Sequence, residues 1–159
     1  MFDTKDVLIY ESGNGGDISI SGNDIALTEQ LFQQIYLRLF GGNVEAVTKG
    51  NEPAGEVRND WWGNSLFFSQ DQGKQFNSVT EKTLNETALN SAGRLKILTA
   101  VERDLSGMEQ WASTTVDVLI ASANKVVIVV QLSQPNQTTS TLNIIWDSLK
   151  KQVVLEYNI

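Results

Sequence analysis

The last third of the chain holds four strand-like stretches, the first of which alternates apolar and polar residues, separated by short turn-forming segments. Thr114 to Ala121 places Val116, Val118 and Ile120 at every second position. Ser122-Ala123-Asn124 turns the chain, and Lys125 to Leu132 returns as a dense β-branched run. A polar loop from Ser133 to Thr138, holding Pro135, leads to Ser140–Trp146; Asp147-Ser148 then turns into Gln152–Asn158. A period of two sends alternate side chains to opposite faces of a pleated strand. Strands joined by tight turns pair antiparallel. Such a sheet has an apolar face that must be covered, so this one feature commits the chain to a layered fold.

The cover is expected from helices upstream. Leu31, Phe32, Ile35, Tyr36 and Leu39 fall on one helical face, with Thr28 as N-cap and Gly41-Gly42 as the stop. Ser78-Val79-Thr80-Glu81 matches a capping box, and one helix is expected from there to about Arg103, striped by Leu84, Ala88, Ala92, Leu95 and Thr99. Gly93 lies inside it; glycine costs a helix roughly 1 kcal/mol against alanine, which predicts a packing reason. Before the helices, Asp6–Tyr10 reads as a short strand. Ile18, Ile20, Ile25 and Leu27 flank Ser21-Gly22-Asn23-Asp24 as a hairpin. The fold class is therefore α+β: an N-terminal β-hairpin, two packed amphipathic helices and a C-terminal, mostly antiparallel sheet. All 159 residues are expected in a single domain, with 1–113 holding the hairpin, helices and an irregular segment, and 114–159 forming a strand-rich interaction part.

Charge narrows the function. The net charge is −7, and it is uneven: residues 1–60 carry −6, residues 61–113 carry −1, and residues 114–159 are neutral. No basic run offers a grip on phosphates, which argues against nucleic acid. The neutral C-terminal part repels a neighbour least, which suits association. There is no cysteine, hence no disulfide and no thiolate metal site, and no histidine, the commonest general base and metal ligand. No cofactor, metal or catalytic residue is expected on this basis. The start, Met-Phe-Asp-Thr-Lys-Asp, lacks the apolar core of a signal peptide. The apolar run Val126–Val130 is far too short to span a bilayer, so no membrane is expected.

Residues 43–77 lose all periodicity and are too long for a casual connection. Glu52, Glu56 and Asp60 recur there at spacings of four. They fit either a carboxylate-based glycan hydrolase or ordinary loop acids, and Pro53 and Gly55 argue against the helix that would align them. Asn14-Gly15-Gly16-Asp17 lacks the ligand density of a calcium loop and the Lys of a P-loop, so it reads as a hairpin-entry loop. Asp60-Trp61-Trp62-Gly63 is the most informative short segment. In an extended chain adjacent tryptophans diverge, so one packs inward while the other covers a surface or a partner; burial of both against a helix is the alternative. The sheet adds a second candidate. Its edges are templates for another chain's strand, and neither Val127 and Val129 in the second strand nor Val153, Leu155 and Tyr157 in the last are shielded by much charge.

The order hairpin, helix, Asn59-Asp60-Trp61-Trp62-Gly63, helix, strands, with Gly-Asp-Ile-Ser-Ile and Asp-Ile-Ala-Leu in the hairpin, resembles the baseplate wedge proteins of Mu-like contractile-tailed phages, relatives of the sheath initiators of contractile tails. Arginines often precede the tryptophans in that family; here Arg58 stands nearest. The resemblance implies a virion protein of the tail baseplate, assembled in the host cytoplasm. It implies several symmetric copies, sixfold being the expectation. Its partners would be the tail sheath protein, other wedge proteins and the tail tube or hub. Two other readings stay open: a cell-wall glycan hydrolase, and a ligand-binding module marked by a pocket lined by Trp61 or Trp111.

Overall fold

A computed structural model describes residues 5–9, 18–42, 62–71, 74–135, 137–150 and 152–158. It is an α+β fold, with an N-terminal hairpin, helices and a C-terminal four-stranded antiparallel sheet. At the N-terminus, β1 (Lys5–Val7) pairs with β4 (Leu27–Glu29), and β2 (Ile20–Ser21) with β3 (Asp24–Ile25). Gly22 closes that hairpin at φ +65°, a conformation side-chain-bearing residues resist. The buried Gln33 side chain binds this unit to the first helix, donating to the Ile9 carbonyl (2.8 Å) and accepting from its amide (3.0 Å).

Among the described residues there are four α-helices: α1 (Gln30–Phe40), α2 (Trp62–Phe68), α3 (Thr80–Glu86) and α4 (Ser91–Leu105). The expected Thr28 cap is not used, because Thr28 is already paired with Asp6 in β4; Glu29 occupies the N-cap without a side-chain bond. The long helix expected over 78–103 is two helices. The chain breaks at Thr87, and Asn90 starts α4 afresh by accepting the Gly93 amide at 2.9 Å. The restart changes the helical phase. Leu95, expected on the buried stripe, is 57% exposed, and the inward face is Gly93, Ile97, Ala100, Val101 and Leu105.

The sheet runs β5 (Ser113–Ser122), β6 (Lys125–Ser133), β7 (Ser140–Asp147), β8 (Gln152–Asn158) in sequence order. Its inner face meets α4 and α1 in one core. Val118, Ile128 and Ile144 sit opposite one another in register, next to Val126 and Trp146 on one side and Val130 and Leu142 on the other; all are buried. Ile35, Leu39, Ile97, Val101 and Leu105 fill the helical half of the same cluster. Core residues thus come from both sides of the 113/114 division. Asp147 orders the last turn, its Oδ1 accepting from the amides of Leu149 and Lys150, while Ser148 binds the Asn124 carbonyl and ties the two hairpin turns together.

Gly93 has the packing reason its position required. A Cβ there would lie 1.9 Å from the Ala88 carbonyl oxygen and 2.8 Å from Thr87 Cγ2. The linker folds back over the first turn of α4 and occupies the space of a side chain. Gly93→Ala should therefore reverse the usual helical preference and destabilise the protein by about 1–3 kcal/mol, as overpacking does. Urea denaturation measures this, and a stabilised G93A protein would contradict it.

Candidate interaction site

The two edges of the sheet are built differently. On β5 both backbone polar groups of Val118 are occupied: its amide donates to Asp117 Oδ1 (2.8 Å) and its carbonyl accepts from Arg94 Nε (2.6 Å). Arg94 Nη2 also lies 2.9 Å from Asp117 Oδ1, closing an ion pair across the strand. The register slips between Ile120 and Ser122, a bulge that bends the end of the same strand. Charge plus bulge is a standard protection of an edge. On β8, the described residues pair with β7 alone. Here the structure corrects the sequence reading on one point. Strand β6 lies inside the sheet with both ladders filled, so Val127 and Val129 cannot offer an open edge.

Those two valines instead serve the outer face. Leu119, Val127, Ile145 and Val154 are in register across all four strands, forming an apolar row on the side away from the helices. Leu119 is 48% and Val154 52% exposed. The neighbouring row is Asp117, Val129, Asn143 and Glu156. Val153 and Leu155 point the other way and pack against the core, so of the expected β8 residues these two support the strand. Tyr157 lies in β8 opposite Leu142, and its side chain is outside the described residues.

The tryptophan segment is described only in part. Asp60, Trp61, Glu52, Glu56 and the loop Asn14–Asp17 lie outside the described residues. Trp62 begins α2, with its side chain likewise undescribed, and Gly63 is buried. Asn64 fixes this helix: buried, it donates Nδ2 to the carbonyls of Gly41 (3.1 Å) and Phe76 (2.9 Å) and accepts the Phe76 amide on Oδ1 (2.8 Å). Gln75 Nε2 adds a bond to the Phe68 carbonyl at 3.1 Å. The helix leaves Leu66 and Phe67 more than 60% exposed.

The strand of chain that receives α2 is itself pinned from α4. Asp104 Oδ2 accepts from the Thr80 hydroxyl (2.6 Å), the Thr80 amide (2.8 Å), the Val79 amide (3.0 Å) and the Ser78 hydroxyl (3.3 Å). Ser78 also donates to the Leu39 carbonyl through its hydroxyl and to the Gly42 carbonyl through its amide. The expected capping box therefore gives way to a cap from another helix. Burial pushes the Asp104 carboxyl above the usual carboxylate range, and the bonds from Thr80, Val79 and Ser78 pull it back only in part.

No family model, curated protein or solved structure matches the chain. Sequence reasoning missed Asn64, Asp104 and the Arg94–Asp117 plug. A lone Asp in mid-strand was the available signal for the plug, since natural edges carry such charges. The partners of Asn64 and Asp104 are too distant in the chain to be read from local patterns.

Asp104→Ala strands the Val79 and Thr80 amides and the Thr80 hydroxyl at the start of α3 and should destabilise the protein by about 2 kcal/mol at neutral pH. The pH dependence has a definite sign. Because the folded carboxyl is shifted upward, the folded state takes its proton before the unfolded chain does. The stability of the unmodified protein relative to D104N should rise as pH falls through the raised value, then level off below the unfolded value. Denaturant titrations of the two proteins at several pH values check this; a difference that moves oppositely would contradict it.

Proposed function

We propose that the chain is a structural subunit of a contractile-tail baseplate, a wedge or sheath-initiator component, and that a partner protein adds a strand along β8. The observation that carries the strand-addition reading is the asymmetry of the sheet: β5 is plugged at Val118 by Arg94 and Asp117, while β8 pairs with β7 alone among the described residues. An added strand would gain main-chain hydrogen bonds of roughly 0.5–1.5 kcal/mol net each. It would also extend the apolar row that ends at Val154. The neutral charge of residues 114–159 supports close approach. The assignment to a tail rests on the resemblance carried by Asp60-Trp61-Trp62-Gly63 and its setting. In this reading the sheath protein is the strand donor, α2 and the tryptophans face other wedge proteins, and copies repeat around the tail axis.

Among the described residues no group of three or more His, Cys, Asp or Glu side chains is placed to hold a metal, and no helix is long and apolar enough to cross a membrane.

Val154→Lys should leave the fold intact, because this side chain is already half exposed, while placing a charge on the edge where the partner strand adds. Expressed with the remaining tail proteins, the V154K chain should yield tubes without attached sheath under the electron microscope. Complete sheathed tails from a folded V154K chain would overturn the strand-addition reading. Cleavage of peptidoglycan by the purified chain, lost in E52Q or E56Q, would favour the hydrolase instead.

A further inference from the structure

A cleft of about 610 Å³ opens between α1, the residues after α2, and the start of the chain's return to the sheet. Its apolar walls include Phe68, Phe76 and Trp111; its polar lining includes Gln30, Gln34 and Arg38. This volume is that of a small-ligand site, and it combines apolar walls with a few convergent polar groups.

Arg38 is the anomaly. Its guanidinium carbon lies over the Trp111 ring, 5.4 Å from the ring centre, within cation–π range. On another side Nη1 is packed against Gly107, where a Cβ would come within 2.7 Å of it. Nε is buried without a hydrogen-bond partner, and no carboxylate lies within ion-pair distance of the group among the described residues. A guanidinium has five N–H donors and stays charged in proteins. Burial alone acts on it, lowering its basicity with no compensating anion. In a chain of net charge −7, a half-buried cation without a counter-ion is a position built to receive one. The Trp111 ring on one side and Gly107 on another restrict the guanidinium, which lowers the ordering cost when an anion arrives.

The other charges of the cleft agree with this. Asp104 lines it, but its carboxylate is engaged at the start of α3: Oδ2 accepts from the Thr80 hydroxyl and from the Thr80 and Val79 amides, and Oδ1 lies 3.2 Å from the Val79 amide. Lys74, at the rim, is paired with Asp71 at 3.0 Å and largely exposed. Asn77 Oδ1 is buried and unpartnered, an acceptor for a ligand N–H or hydroxyl. We infer that this cleft binds a small amphipathic carboxylate, its acid on Arg38 and its apolar body against Trp111 and Phe76. This site is separate from the sheet edge and does not rest on the tail assignment.

The test uses the full chain, labelled with ¹⁵N, and three probes: sodium benzoate, neutral benzamide and sodium acetate. Benzoate should shift the Trp111 indole and the Gln30 and Gln34 side-chain amides saturably. Benzamide, which lacks the charge, and acetate, which lacks the ring, should bind at least about tenfold more weakly. Arg38→Gln should lose benzoate affinity by a similar factor. Gln34→Glu places a carboxylate one helical turn from Arg38, so it should raise the melting temperature and abolish benzoate binding. Unsaturable shifts, equal binding of benzamide, unchanged affinity in R38Q, or benzoate binding retained in Q34E would each overturn the assignment.

Discussion

The Asp104 carboxylate stands near the end of α4 and gathers the amides of Val79 and Thr80 and the hydroxyls of Ser78 and Thr80. Through Ser78 it reaches the C-terminal end of α1, because that residue also binds the carbonyls of Leu39 and Gly42. Three helices therefore meet at one anion. Charge-assisted bonds from several donors are about twice as strong as neutral ones, and here they satisfy groups that burial would otherwise leave costly. The segment so fixed carries Phe76, to which Asn64 attaches α2. The position of the exposed Leu66 and Phe67, and of the backbone at Trp62, follows from a carboxylate forty residues away in sequence.

The sheet depends on α4 in a second way. The helix that provides Asp104 from its last turn also provides Arg94 from its first, and Arg94 occupies the edge of β5. Between them Ile97 and Val101 fill the core. One helix thus orients the α3 junction, covers the inner face of the sheet and blocks its β5 edge at Val118. The break before Asn90 is what allows this. A continuous helix from Ser78 would have carried the stripe containing Leu95 into the core. It would also have left the Ala88 carbonyl inside a helix rather than folded over Gly93.

The strands were legible in the sequence because a half-buried sheet imposes a period of two, and Val116, Val118 and Ile120 display it directly. The hairpin was legible because Gly22 marks its turn. Capping was less legible. Ser78 and Glu81 have the local spacing of a capping box, but a nearby carboxylate with a stronger bond took the amides instead. Edges were the least legible. Whether a strand is central or terminal depends on which strands flank it, so the unprotected sequence of β6 gave no sign that both its ladders were filled. For the candidate site, sequence alone singled out Asp60-Trp61-Trp62-Gly63, Val127 and Val129 in β6, and Val153, Leu155 and Tyr157 in β8. It could not place Val153 and Leu155 inward and Val154 outward without the register, because a one-residue slip exchanges the two faces.

The outer face gives the sheet a direction. Leu119, Val127, Ile145 and Val154 form a continuous row from the plugged edge to the β8 edge. On a solvated antiparallel sheet this face would ordinarily be polar throughout, as the adjoining row with Asp117, Asn143 and Glu156 largely is. If a partner strand adds along β8 as proposed, an apolar row that ends at Val154 would give it a side-chain contact beside the backbone pairing. Backbone pairing alone carries little specificity, since any extended chain can supply it, whereas the alternating side chains select the partner. In the proposed strand addition the row would therefore favour a partner of particular pattern: apolar beside Val154, and polar or basic beside Glu156.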